Sequence, residues 1–196
     1  MTAYGIDIPA QGDVYLIRHG ATTWSKEGRH TGRTDLPLDE DGIKAAMSLE
    51  TRLAPINFRH VFTSPLQRAY KTCELAGCAA EAVVSDDLLE WNYGDYEGLT
   101  KDEIHKTDPG WDVYDRGAKG GESVEEVLMR CRNFLKQIQD LEKPVAIFSH
   151  SHFLRSFATV YIDEDIKLAQ KIQLDTAKVS VLAKSSLGNV IVSWNA

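Results

Sequence analysis

Two histidines and two arginines stand in three short polar signatures, Arg18-His19-Gly20, Ser64-Pro65-Leu66-Gln67-Arg68 and Ser149-His150-Ser151. Each follows an apolar run. Neutral imidazole is a nucleophile near pH 7 that can also leave again. The planar fork of a guanidinium pairs with phosphate oxygens bidentately, and Arg68 falls near a helix N-terminus, where the dipole also favours an anion. Together these groups suit phosphoryl transfer, whose loose transition state asks the protein chiefly to orient and to neutralise charge. Taken singly, each has a plainer use: a strand-end histidine as a structural hydrogen-bonder, Arg68 as a surface ion pair. A carboxyl completes such chemistry by giving a proton to the departing alkoxide and then activating water. Glu90 is the candidate, against the alternative of a solvated loop acid. In the acid role it must be protonated when substrate arrives, so an acidic optimum is expected.

The elements around these residues must bring them together. Val14-Tyr15-Leu16-Ile17, His60-Val61-Phe62-Thr63, Ala82-Val83-Val84 and Pro144-Val145-Ala146-Ile147-Phe148 read as buried strands. Helices alternate with them. Asp39 caps one that runs to about Ala54, with Ile43, Ala46, Met47 and Leu53 on one side. Ser64 as N-cap, Pro65 and Gln67 predict a capping box for a helix burying Leu66, Ala69, Tyr70, Cys73 and Ala76. Ser123 and Glu126 predict a second box, before a helix carrying Val124, Val127, Cys131, Phe134, Ile138 and Leu141. A further helix follows Ser149-His150-Ser151 to about Val160, and two strands close around a Gly188-Asn189 turn. This alternation predicts the α/β class, a three-layer α/β/α sandwich on a mostly parallel sheet. In such sheets ligands sit beyond the carboxyl ends of the strands, where the three signatures converge. Residues 90–121 hold Trp91, Tyr93, Tyr96, Trp111 and Tyr114 among many Gly and Asp, with one short helix from Thr100 to Thr107. They read as a site-covering loop.

Leu16-Ile17-Arg18-His19-Gly20-Ala21-Thr22-Thr23-Trp24 resembles the R-H-G signature of the histidine phosphatase superfamily, the phosphoglycerate mutase-like proteins. The likeness continues, in order, through residues 30–38, Thr63-Ser64-Pro65 with Arg68, residues 90–98, and Phe148-Ser149-His150. It implies that His19 is transiently phosphorylated, that Arg18, Arg68 and His150 complete the phosphate pocket, and that Glu90 is the proton donor. It also implies that Ser25, Thr31, Gly32 and Tyr93 line the substrate. Ser151 departs from the family's usual Gly, which bears on how closely backbone approaches phosphate. Ser25 after Trp24, the compact length and the 90–123 segment are similar to the phosphatase branch, among broad-specificity acid phosphatases and sedoheptulose-bisphosphatase-like proteins. The expected activity is hydrolysis of small phosphomonoesters, such as phosphorylated sugars, through phosphohistidine. Phosphoglycerate mutase is the second reading, and a non-catalytic phospho-ligand binding module the third.

Composition bounds the rest. The 196 residues, 43% hydrophobic and 26% charged, suit one domain over 1–196. A net charge of −7 argues against nucleic-acid or membrane-surface binding. Cys73, Cys78 and Cys131 lack a C-x-x-C pair and read as buried thiols of a reducing compartment. His150-x-His152 has no accompanying cluster of metal ligands, so no metal and no cofactor is expected. His152 and His30 are placed at the pocket border instead. Residues 1–13 show no leader pattern and no stretch reaches membrane-spanning length, so a cytoplasmic protein is expected. The partner is a small phosphorylated substrate. Arg29, Arg33, Lys101, Arg116 and Lys119 either grip a second phosphate or form a solvated fringe. Oligomeric state is not legible.

Overall fold

The structure, a computed structural model, describes residues 13–186 and 188–196. The reading of the N-terminus as lacking a leader therefore lies almost wholly outside the described residues. In chain order the elements are β1 (Val14–Arg18), α1 (Thr23–Lys26), α2 (Glu40–Leu53), β2 (His60–Thr63), α3 (Gln67–Leu75), β3 (Ala82–Val84), α4 (Lys101–Thr107), α5 (Val113–Arg116), α6 (Val124–Ile138), β4 (Val145–Ser149), α7 (Ser151–Tyr161), β5 (Val179–Ser185) and β6 (Gly188–Ser193). The strands form one sheet in the order β3-β2-β4-β1-β5-β6. β1 to β4 run parallel to their neighbours within that set, while β5 and β6 add an antiparallel margin. Parallel neighbours require crossovers, and the crossover helices cover both faces.

A two-residue period sorts the strand side chains between two cores. Val14, Leu16, Val145, Ile147 and Leu182 face Val127, Cys131 and Phe134 of α6 and Phe153 and Phe157 of α7. Tyr15, Ile17, Ala146, Phe148 and Val181 face Leu49 and Leu53 of α2 and Cys73 of α3. The result is the three-layer α/β/α sandwich. All three cysteines are free thiols; Cys73 and Cys131 are buried in the two cores, and Cys78 is half-buried.

Local signals account for the firmest helix starts. The Ser123 hydroxyl accepts the Glu126 N–H at 3.2 Å while the Glu126 carboxylate accepts the Ser123 N–H at 2.8 Å, so the predicted box at α6 forms. Asp39 caps α2 through the Gly42 N–H.

Several expectations are corrected. Ser64 does not cap α3, which begins at Gln67 with Leu66 in the cap position and no side-chain bond from it. The Ser64 hydroxyl is engaged by His150 instead, and Asp35 accepts the Gln67 N–H at 2.8 Å. Tyr70 of α3 and Ile43 and Met47 of α2 lie exposed, because the buried stripes run through Ala69 and Cys73 and through Ala46, Leu49 and Leu53. β3 is an edge strand and leaves Val83 and Val84 half exposed. Gly188 and Asn189 belong to β6, with Ser185 paired to Gly188, so the hairpin turns before Gly188 and not at Gly188-Asn189. The 90–121 segment carries α5 and a short 3₁₀ turn at Gly94–Tyr96 besides α4, and its five large aromatics are buried in the α6/α7 core. Those aromatics anchor the segment in the packed interior.

Candidate active site

The three polar signatures meet because the strands that carry them are neighbours. Arg18 ends β1 opposite Ser149 of β4, the His19 N–H donates to the Ser149 carbonyl at 3.0 Å, and the Ser64 N–H donates to the Phe148 carbonyl at 2.9 Å. Gly20 lets the chain leave β1 against the start of α2: a Cβ there would stand 2.5 Å from the Gly42 carbonyl oxygen. The Gly20 N–H is held by the Thr72 hydroxyl of α3 at 3.0 Å.

His19 is 5% exposed. Its Nδ1 lies 2.6 Å from the Gly20 carbonyl, which can only accept, so Nδ1 carries the proton and Nε2 keeps its lone pair. Burial, and then the charges of Arg68 and Arg18, push the His19 pKa well below that of an ordinary imidazole. Those causes hold the ring in its nucleophilic form.

Behind His19, with ring centroids 5.2 Å apart, lies His150, fully buried. Arg68 donates its Nε–H to His150 Nδ1 at 3.1 Å, and His150 Nε2 stands 2.8 Å from the Ser64 hydroxyl. Nδ1 is thus an acceptor, and the single proton is on Nε2. Burial and the Arg68 charge push the His150 pKa down as well. His150 is therefore a neutral imidazole, since a second ring proton would face the Arg68 N–H. Arg68, also fully buried, gives three of its remaining donors to the carbonyls of Thr31, Gly32 and Thr34 at 2.9 to 3.1 Å.

Glu90 is 4% exposed, which displaces the solvated-acid alternative. Its Oε1 accepts the N–H groups of Trp91 and Phe153, both at 2.9 Å, and Oε2 accepts that of His152 at 3.0 Å. The carboxyl thereby satisfies N–H groups of the first turn of α7. A carboxylate has about four lone-pair sites, so three N–H bonds leave one open, on Oε2.

A cavity of about 160 Å³ opens on this cluster. Its lining includes Arg18, His19, Glu90 and Ser151 together with Ser25, Thr31, Tyr93, Arg29, His30 and His152. Arg68 and His150 stand behind His19, outside that lining. Gly32 is not on the wall either. It is wedged between the Trp91 carbonyl and the Glu97 carboxylate, where a Cβ would approach to 2.4 and 2.6 Å. Ser151 sits in the first turn of α7 with no left-handed backbone, so a side chain there is accommodated. Arg18 donates to the Leu174 carbonyl at 2.5 Å, and its Nε is buried without a partner among the described residues. Of the five basic residues left open, Arg33, Lys101, Arg116 and Lys119 pair with Glu122, Asp112, Asp108 and Asp95 away from the cavity. Only Arg29 reaches the wall. Among the described residues no group of three or more His, Cys, Asp or Glu is arranged to hold a metal ion, and no helix is long and apolar enough to cross a membrane.

Sequence reasoning passed over Thr72, which braces Gly20, and Glu97, whose Oε1 accepts the Gly32 and Thr34 N–H groups at 2.8 and 3.0 Å. Thr72 gives no signal at all, being one hydroxyl on a helix. Glu97 lies inside the 90–98 stretch, and a carboxylate between aromatics and glycines was its signal.

Known proteins share this arrangement of chain. The family model of the histidine phosphatase superfamily (branch 1) matches residues 14–196. An acid phosphatase of Mycobacterium tuberculosis is 33% identical over 170 residues, covering 85% of this chain and 83% of that protein. Sedoheptulose 1,7-bisphosphatase of Saccharomyces cerevisiae is 34% identical over 179 residues, covering 74% of this chain and 66% of its own length, just under two thirds. A solved structure of a Mycobacterium tuberculosis protein superposes with a TM-score of 0.89 at 30% identity, covering 93% of this chain and 96% of that one.

Proposed function

The chain belongs to the histidine phosphatase superfamily, and from that membership we propose that it hydrolyses small phosphomonoesters by way of a phosphohistidine at His19. The observation that carries the assignment of His19 is its fixed tautomer, with Nε2 bonded to no protein group among the described residues and the ring on the wall of a cavity shared with Arg18 and Glu90.

The reaction follows from that geometry. The Nε2 lone pair attacks phosphorus, the bond from phosphorus to the alkoxide oxygen breaks, and the departing oxygen takes a proton from Glu90. The carboxylate so formed removes a proton from water, water oxygen attacks phosphorus, and the phosphorus–nitrogen bond breaks to release phosphate and restore His19. Arg18 faces the cavity and neutralises the phosphoryl oxygens. Arg68 contributes its charge from behind His19 and fixes the His150 tautomer, and His150 packs against the nucleophile. Ser25, Thr31 and Tyr93 contact the leaving group, with Gly32 setting the path of the Thr31 backbone. Phosphorylated sugars and related metabolites are the proposed substrate class, supported by the name of the yeast relative. A cytoplasmic location fits the three free thiols, two of them buried.

Turnover of p-nitrophenyl phosphate tests this reading. The native protein should release p-nitrophenol, and an alkaline quench during turnover should retain a phosphate adduct on the peptide containing His19. His19→Ala should lose at least about 10³-fold in kcat/KM, the scale set by removing a nucleophile. Undiminished turnover in that variant would refute the proposal.

A further inference from the structure

The cavity lining holds two imidazoles that hydrolysis itself does not use. The rings of His30 and His152 are stacked, centroids 6.0 Å apart and planes 19° apart, and both line the wall. An aromatic frame keeps them there. Tyr93 and Trp111 stand edge-on to His30 at 4.9 and 5.2 Å, and Tyr93 and Tyr114 contact His152 at 5.7 and 5.4 Å.

Their hydrogen bonds fix opposite tautomers. His30 Nδ1 lies 2.9 Å from the Leu99 carbonyl, which only accepts, so Nδ1 carries the proton and Nε2 offers a lone pair. His152 Nδ1 lies 2.6 Å from the Tyr93 hydroxyl. Tyr93 is buried, and its hydroxyl has no other partner among the described residues, so its proton goes to His152 Nδ1. The His152 proton is then on Nε2. Neither Nε2 bonds a protein group among the described residues. Burial pushes both pKa values down, which keeps both rings uncharged. The cavity thus presents one neutral acceptor and one neutral donor side by side. Arg29, next to His30 on the lining, is already engaged by Glu27 at 2.7 Å, Glu103 at 3.1 Å and the Gly98 carbonyl at 2.8 Å, and Glu90 Oε2 lies 3.9 Å from His152 Nδ1. A wall of this kind has little to offer an anion and suits hydroxyl groups, which donate and accept at once.

We propose that His30 and His152 form a donor–acceptor pair that reads hydroxyl groups on the leaving group, so that the preferred substrates are phosphate monoesters of polyols. The inference rests on the phosphatase reading above. A site built to bond a hydroxyl discriminates against the analogue that lacks it, because its own polar groups are then left unpaired.

Glycerol 2-phosphate and isopropyl phosphate make the test, since they differ only in two hydroxyls flanking the ester carbon. The expected result is a kcat/KM for glycerol 2-phosphate at least about tenfold higher, the equivalent of one to two neutral hydrogen bonds. His30→Phe and His152→Phe should each shrink that ratio several-fold, and the double variant should bring it close to one. His30→Gln and His152→Gln, whose amides reach the Nε2 positions, should recover part of it. That recovery guards against a variant that merely folds badly. A native ratio near one, or a preference that survives in the double variant, overturns the pair while p-nitrophenyl phosphate turnover leaves the phosphatase reading standing. Absence of p-nitrophenyl phosphate turnover in the native protein overturns both.

Discussion

The Glu90 carboxylate has all but one of its lone pairs engaged by backbone N–H groups, and that lone pair on Oε2 is the place for the proton the leaving oxygen needs. The demand for that proton depends on the leaving group. An alkoxide cannot depart without it, whereas p-nitrophenolate leaves as a stable anion. Glu90→Gln keeps the carbonyl acceptor and the shape but has no acidic proton to give and no base for water. Formation of phosphohistidine from an alkyl phosphate should therefore slow by about 10²–10⁴, the usual contribution of general acid catalysis. With p-nitrophenyl phosphate the same variant should release p-nitrophenol in a stoichiometric burst and then stall, because the second step has lost its base. Rapid-quench kinetics distinguish the two substrates. Equal slowing of the first step for both would remove Glu90 from the role of acid.

At the scale of elements, the 31–34 segment shows how the site is held. Arg68 of α3 takes its carbonyls from one side, and Glu97 takes the Gly32 and Thr34 N–H groups from the other. Glu97→Ala strands both N–H groups, at about 1–3 kcal/mol for each that stays buried and unpaired. The expected outcome is a lower Tm and a KM raised several-fold with a smaller change in kcat, since Thr31 lines the cavity without bonding the nucleophile. Glu97→Gln retains the accepting oxygen and should recover most of both. An unchanged KM in the alanine variant would sink the idea.

Such a latch illustrates what was legible and what was not. The cap of α6 could be read because Ser123 and Glu126 are three residues apart and bond each other. Ser64 offered the same local pattern, but its hydroxyl meets His150, 86 residues away in sequence, and Asp35 takes over the cap. Strand ends carrying Arg18, His19 and His150 were legible because buried apolar runs mark them. Thr72 and the Arg68 bonds to carbonyls were not, since any segment's carbonyls look alike in sequence. The aromatics of 90–121 were visible as residues, yet their packing into the α6/α7 core depends on a surface assembled from distant elements.

For the whole molecule, the same burial that keeps the histidines reactive couples stability to pH. His19, His150 and His152 all have native pKa values pushed well below the ordinary 6.5, each first by burial and next by a nearby arginine, Arg68 for the first two and Arg155 for the third. In the unfolded chain these rings regain the ordinary value. Above pH 6.5 neither state binds the protons and folding gains or loses nothing from them. As pH falls below 6.5, the unfolded state takes up protons that the native state refuses, so stability declines until the native pKa values are reached. Each ring contributes a slope of up to about 1.4 kcal/mol per pH unit. Carboxylates titrate near pH 4 and add little between pH 6.5 and 5. Thermal unfolding at constant ionic strength should therefore show a nearly level Tm from pH 8 to 7 and a steep fall from 6.5 to 5. His152→Gln, which removes one ring while keeping an uncharged amide, should flatten that fall. A Tm that holds level down to pH 5, or a slope indifferent to that replacement, would mean that these imidazoles gain protons in the native protein as readily as in the unfolded chain. The neutral forms assigned to His19 and to the leaving-group pair would then lose their basis.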